Sequence, residues 1–176
     1  MSDPLHERSA RLLDLIHAGH DYADDARRLE WIAEAATTIP LRTLLDVGCG
    51  TGRHLEALRG GFAVEGLDRS PAVLAVARQR LPGVTLHEGD LEGFDLGQRF
   101  DIVLCLGSAI AYAAMPARLN RAVANLARHA NPGGVVLVAP WVFAEEWVDG
   151  HIAAELVDVP EIKVARISRG SRRADT

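Results

Sequence analysis

Residues 44–58 read LLDVGCGTGRHLEAL, an apolar strand-like run that empties into three alternating glycines and then becomes a helix. Few segments constrain a fold as tightly. The run from Thr43 to Val47 is apolar except for Asp46, as expected of a strand covered on both faces. Gly48, Gly50 and Gly52 follow at every second residue, where absent Cβ atoms permit left-handed backbone and close approach of a ligand. Such a strand–loop–helix turn is where nucleotide-like cofactors sit, although a purely structural turn has the same composition.

Spacing separates the ligand classes. A dinucleotide loop needs G-x-G-x-x-G/A, with a small third residue where the helix packs close, and counting from Gly48 that position is Arg53. A phosphate-cradling P-loop is excluded because no Gly-Lys-Ser/Thr ending is present. What remains is D-x-G-x-G-x-G, with Asp46 two residues ahead of the first glycine. This pattern resembles motif I of the class I S-adenosylmethionine-dependent methyltransferases, in which the strand-end acid and the glycine loop face the methionine part of the cofactor.

The downstream units arrive in matching order. A second strand is expected over 62–67, ending at Asp68, an acid placed to accept both ribose hydroxyls in either a dinucleotide or an S-adenosylmethionine fold. Ser70-Pro71 reads as N-cap and first helical residue, and Leu74, Ala77 and Leu81 form a stripe that Pro82-Gly83 stops. A third strand over 84–87 leads to Gly89-Asp90-Leu91. The resemblance implies that Asp90 contacts the adenine amino group and that Leu91 packs near the ring; Asp90 reads equally well as a turn residue or N-cap. The fourth strand, 100–106, ends in Leu106-Gly107-Ser108. By resemblance Leu106 and Gly107 neighbour the transferable methyl and Tyr112 lies on the acceptor side. A helix over 116–129 should bury Leu119, Val123, Leu126 and Ala130 and end at the NPGG run, with a fifth strand over 135–139. Five strands alternating with helices predict an α/β fold with a doubly wound, mostly parallel, Rossmann-like sheet and a ligand at its carboxyl edge.

Before the first strand, Leu5, Leu12, Leu13 and Ile16 suggest one helix, and Leu29, Ile32, Ala33 and Ala36 another. The joint His20-Asp21-Tyr22 between them suits a lid over the cofactor, in which Tyr22 stacks, or an ordinary amphipathic core position. We therefore expect a single domain over 1–176: a helical lid at 1–40, a cofactor-binding core at 41–140 and a substrate-side extension at 141–176.

A closer resemblance rests on HDYADDA, the glycine loop, VEGLDRSPAVLAVARQRLP, LHEGDLEGFDLGQRFD and above all NPGGVVLVAPWVFAEEWVDGHIAAE. Together these resemble the bacterial deoxyaminosugar N,N-dimethyltransferases, which act on nucleotide-linked amino sugars. The resemblance implies S-adenosylmethionine as donor and the amine of a nucleotide-linked sugar as acceptor. It carries cofactor contacts onto Tyr22, Asp46, Gly48, Gly50, Gly52, Asp68, Asp90, Leu91 and Leu106. It carries substrate contacts onto Trp141, Phe143, Arg166 and Ser168, and leaves Tyr112 as the group that orients the amine. The family has a histidine where Tyr112 stands and continues past this chain's end. Two other readings share the donor site: an O- or C-methyltransferase for another small metabolite, and an inactive remnant that retains S-adenosylmethionine affinity.

Composition excludes little else. A net charge of -5 argues against gripping nucleic acid through the bulk field. Arg166, Arg169, Arg172 and Arg173 crowd the end, as a solvated tail or as forks for a phosphorylated substrate. Two cysteines make no disulfide framework, and no long apolar run suggests a membrane, so a cytoplasmic protein is expected, with a small-molecule substrate and, as assembly, a homodimer. His17 and His20 lack the carboxylate and third ligand that a metal site wants, and no metal is expected.

Overall fold

The computed structural model describes residues 10, 12, 14–113, 115–139, 146–160 and 162–171. Leu5, Leu13, Trp141, Phe143, Arg172 and Arg173 lie outside the described residues. After helical residues that include 14–16, the elements are α1 (Tyr22–Ala36), β1 (Thr43–Val47), α2 (Arg53–Leu58), β2 (Ala63–Asp68), α3 (Pro71–Arg80), β3 (Thr85–Glu88), β4 (Phe100–Cys105), a 3-10 turn (Ala109–Ala113), α4 (Pro116–Arg128), β5 (Ala130–Val138), β6 (Ile152–Val159) and β7 (Ile162–Arg169). Strands β1–β5 form one parallel sheet in the order β3-β2-β1-β4-β5, and β6 and β7 form a separate antiparallel pair. The doubly wound parallel sheet expected from the five strand–helix units is present.

Alternation along β1 explains why both faces are covered. Leu44 packs with Ile102, Leu104, Leu55, Leu58, Leu74 and the α1 alanines Ala26 and Ala33. Its neighbour Leu45 points the other way, onto Val103, Cys105, Phe100 and the α4 residues Ala122 and Leu126. Each such leucine, essentially inaccessible, contributes about 2 kcal/mol by leaving water.

Local signals set the helix ends. Asp21 caps α1 by accepting from the Asp24 amide at 2.9 Å, and Asp24 and Asp25 place negative charge in its first turn, where the helix dipole favours it. Ser70 caps α3 by accepting from the Val73 amide at 3.4 Å, with Pro71 at its start, as the sequence indicated.

Three expectations need correcting. α4 buries Leu126 as expected, together with Ala122 and Asn125, whereas Leu119 and Val123 are 41% and 45% exposed, so the buried stripe runs through 122, 125 and 126 and not through 119 and 123. In α1 the buried pair is Ala26 and Ala33, and Ile32 is 41% exposed, because close approach of this helix to α2 needs alanines. The fifth strand begins at Ala130, not at 135, and the NPGG run is strand with a register shift opposite Phe100–Ile102. Asp101 explains that bulge: its carboxylate accepts from Asn131 Nδ2 at 2.8 Å and from the amides of Arg42 and Thr43 at 2.9 Å, tying β5 to the start of β1. Burial would raise the Asp101 pKa, but these bonds hold it below the usual carboxylate value.

Candidate functional site

The strand order reverses between β1 and β4, whose following loops diverge and open a crevice at the carboxyl edge of the sheet. Gly48 and Ala109 meet at its base. A Cβ on Gly48, where φ is +82°, would lie 2.5 Å from the Ala109 Cβ, so only glycine lets the two loops close against each other. The loop is pinned from below by Gly48 and Cys49 amides donating to the Leu67 carbonyl at 2.7 and 3.0 Å. Gly50 differs: φ is +57°, but nothing lies within 4 Å of where its Cβ would be. This is an open cradle that a side chain would fill.

Two carboxylates stand beside that cradle. Asp68, the last residue of β2, accepts from the Gly50 amide at 3.0 Å through one oxygen and from the Ser70 amide at 2.9 Å through the other. Each oxygen retains a further acceptor position. Asp46 is 1% exposed, and its Oδ1 is buried with no hydrogen-bond partner among the described residues. Burial, reinforced by the Asp68 charge, pushes the Asp46 carboxyl up to about 7. An unpartnered buried carboxyl next to a second carboxylate is a cost that a cationic, hydrogen-bond-donating ligand removes and that a pyrophosphate would worsen.

On the far side of the β1–β4 switch, Leu106 is buried at the end of β4, and Gly107 and Ser108 both take positive φ, 55° and 65°. A serine in the left-handed region is backbone strain placed at the crevice, costing about 1 kcal/mol. Tyr112, in the 3-10 turn, is 47% exposed, with the Arg69 guanidinium 5.1 Å from its ring centre. Asp90 and Leu91 follow β3, two strands from β1. Asp90 Oδ1 accepts from the Glu92 amide at 3.0 Å, the turn role left open by the sequence; Leu91 packs on the α4 side and its carbonyl accepts from Asn125.

The residue before the crevice that sequence reading missed is Asp14. It accepts from Thr51 Oγ1 at 2.5 Å and from Arg53 Nε at 3.4 Å, and it pairs with Arg80, which also donates to the Thr51 carbonyl. Although burial opposes it, the bonds from Arg80 and Thr51 hold the Asp14 carboxyl below its usual range. An amino-terminal helix is thereby clasped to the glycine loop. The partners are 37 and 66 residues away, so only a carboxylate amid an apolar stripe hinted at it. Tyr22 begins α1 beside this clasp. Its ring lies edge-on to His20 and His54, 4.6 and 4.9 Å between centres, with the Arg53 guanidinium at 5.8 Å, and its burial raises the phenol pKa.

Tyr22, Asp46, Gly48, Gly50, Gly52 and Asp68 thus surround or abut one loop. Arg166 and Ser168 sit apart, on β7, where Arg166 pairs with Glu155 across the hairpin at 3.0 Å. Trp141 and Phe143 lie outside the described residues.

A methyltransferase-domain family model matches residues 44–134, from β1 into β5. This chain belongs to that methyltransferase family. The family member is 41% identical over 169 residues to dTDP-3-amino-3,6-dideoxy-alpha-D-glucopyranose N,N-dimethyltransferase of Streptomyces fradiae, covering 94% of this chain and 66% of the relative. It is 40% identical over 169 residues to dTDP-3-amino-3,4,6-trideoxy-alpha-D-glucopyranose N,N-dimethyltransferase of Streptomyces venezuelae, covering 94% and 71%. The chain therefore spans about two thirds of the length of these curated relatives. Among solved structures, the SAM-bound amino pentose methyltransferase of Micromonospora echinaspora superposes with a TM-score of 0.81 at 41% identity, covering 99% of this chain and 72% of that one. The resemblance to the deoxyaminosugar N,N-dimethyltransferases and the class I fold both stand on these matches.

Proposed function

We propose that this methyltransferase-family chain transfers a methyl group from S-adenosylmethionine to the amine of a nucleotide-linked deoxyaminosugar. The observation that carries the donor is the buried, unpartnered Asp46 beside Asp68 at the β1–β4 switch point. A ligand with a sulfonium, an ammonium and a ribose matches two adjacent carboxylates, whereas a dinucleotide brings its own negative pyrophosphate to them. The acceptor rests on relatives whose names specify N,N-dimethylation of dTDP-amino sugars and on the match to an amino pentose methyltransferase.

S-adenosylmethionine supplies a methyl already activated on sulfur. The chain's own groups then bind and orient. Gly50 leaves room for the backbone to approach the ligand, Gly48 and Gly52 hold the loop in place by closing against Ala109 and Leu81, Asp68 accepts from the ribose, and Asp46 complements the positive end. Asp90 and Leu91 serve the adenine, Leu106 walls the reacting end, and Tyr22 with α1 and the preceding helix acts as a lid that excludes water. An amine attacks only when unprotonated, and most of the rate gain comes from holding it in line. We assign that orientation to the Tyr112 hydroxyl, with the Arg69 guanidinium over its ring limiting ring motion. Trp141, Phe143, Arg166 and Ser168 complete the substrate side.

Among the described residues no helix is long and apolar enough to cross a membrane. The same proposal sets the reaction in the cytoplasm, with Cys49 and Cys105 as buried thiols, a small molecule as the partner of the site and no nucleic acid or membrane surface, in a homodimer. Radiolabelled methyl donor tested with dTDP-amino sugars, and with hydroxyl and carbon acceptors as controls, checks the acceptor. Label on the amino sugar alone is expected, and label only on a hydroxyl or carbon acceptor overturns the choice. Tyr112→Phe should lower kcat about tenfold while leaving donor affinity unchanged; full kcat would remove Tyr112 from its assigned role.

A further inference from the structure

Outside the crevice, three side chains gather beside Tyr22. His20 from the inter-helix joint, Asp25 from the first turn of α1 and His54 from the first turn of α2 bring their ligand atoms within 4.8 Å of one another. Both imidazoles converge on a single carboxylate oxygen: Asp25 Oδ2 lies 2.5 Å from His20 Nε2 and 3.1 Å from His54 Nε2. Arg27 and Arg28 nearby pair with Asp24, and the side chains that meet Asp25 are the two imidazoles. The Tyr22 ring closes one side of the group, edge-on to both imidazoles, and the exposed His20 leaves the other side open. His17, the sequence neighbour of His20, is not part of it.

We propose that His20, Asp25 and His54 form a binding site for one divalent transition-metal cation of the Zn2+ type. Two imidazole nitrogens and one carboxylate are a donor set that suits Zn2+ and its first-row neighbours and does not suit Mg2+ or Ca2+, which take oxygen. Ligand atoms around tetrahedral Zn2+ stand about 3.4 Å apart, given metal–ligand bonds of about 2.1 Å. The His54–Asp25 spacing is already near that value. The His20–Asp25 spacing reaches it by a small rotation of an imidazole whose side chain is 47% exposed. Three protein ligands leave a fourth position for water on the open side. The three residues come from the joint, α1 and α2, so a bound ion ties the helix bearing Tyr22 to the helix that leaves the glycine loop. The site does not depend on the identity of the methyl acceptor.

The test is isothermal titration of the metal-free full chain with Zn2+, with Mg2+ in a parallel run, accompanied by the visible spectrum after Co2+ addition. One equivalent of Zn2+ should bind, Co2+ should give the intense absorption of a tetrahedral or five-coordinate centre, and Mg2+ should not bind. His20→Gln removes only an exposed ligand, so it leaves the fold intact, and it should weaken Zn2+ binding at least tenfold; Asp25→Asn and His54→Gln should do the same. His151→Gln, an exposed histidine elsewhere, should change nothing. A Zn2+-dependent rise in Tm should appear in the unaltered chain and vanish in the three ligand variants. Unchanged Zn2+ affinity in His20→Gln, or loss of binding in His151→Gln, would show that the ion sits on surface histidines and would overturn the proposal, as would absence of Zn2+ binding to the unaltered chain.

Discussion

In β1 four of five residues are buried, and in β4 all six are, whereas in the β6–β7 hairpin Ile152, Leu156 and Ile167 leave 62%, 80% and 73% of their surface exposed. The polar groups differ in the same sense. Around the glycine loop Asp68 is held by the Gly50 and Ser70 amides and Asp14 by Thr51, Arg53 and Arg80, and the buried Asp46 oxygen Oδ1 alone stands unpartnered among the described residues. On the hairpin, Arg166 and Lys163 have Glu155 and Asp158, one strand over. The polar groups of the loop are held from several elements, while those of the hairpin are held across its own two strands. On the proposed assignment the donor contacts lie within residues 14–113, and the acceptor contacts are shared between Tyr112 and the region beyond β5.

The largest effect that bears on this contrast is expected from Asp68→Ala, which removes both a ligand acceptor and the anchor of the Gly50 amide. Affinity for S-adenosylmethionine should fall roughly 100-fold, equivalent to about 2.7 kcal/mol, by calorimetry. A change smaller than threefold would mean that the loop is not the donor site.

Next come the two glycines, which separate a cradle from a mere turn. Gly48→Ala drives a methyl into Ala109 and should cost about 2–3 kcal/mol in chemical denaturation. Gly50→Ala meets no protein atom, so it should cost only about 1 kcal/mol in stability yet weaken donor binding about tenfold. Equal behaviour of the two in both assays would erase the distinction.

Asp46 gives a pH signature. Its carboxyl is raised by burial to about 7 from a usual value near 3.8, so the native state prefers it protonated. The unfolded chain ionises it above about pH 4, and the native chain therefore loses stability as pH rises from about 4 to 7, with no further loss above. Asp46→Asn should remove this slope and, at pH 8, stabilise the ligand-free protein by on the order of 2 kcal/mol, while weakening donor binding. Thermal unfolding across pH 4–8 reads it; an unchanged slope would assign the pH dependence to other groups.

Arg166→Ala should do least. Its exposed pair with Glu155 contributes under about 1 kcal/mol, and donor affinity should not move. A raised acceptor KM alone would sharpen the division between the two regions, and a fall in donor affinity would break it.

How much was legible follows the same line. The buried strands, the cap at Ser70 and the acids at Asp46 and Asp68 act through neighbours a few residues away or through a repeated strand–helix unit, and such local patterns survive in a sequence. Asp14 reaches Thr51 and Arg80, and His54 reaches Asp25, across dozens of residues, and no periodicity encodes those meetings. In α1 and α4 Ala33 and Leu126 are buried as their spacing predicts, and Ile32, Leu119 and Val123 depart from it for a related reason. A helix packed closely on its neighbours hides its alanines, so the larger apolar residues that a stripe is read from can face outward. The tract that singles out the sugar-modifying subfamily includes Trp141 and Phe143, which lie outside the described residues.

The central claim is that the crevice at Gly48–Gly52 was built for S-adenosylmethionine rather than for a dinucleotide. Calorimetric titration of the unaltered chain with each ligand at the same pH tests it most directly. One equivalent of S-adenosylmethionine should bind with no binding of NAD; binding of NAD in its place would contradict the account.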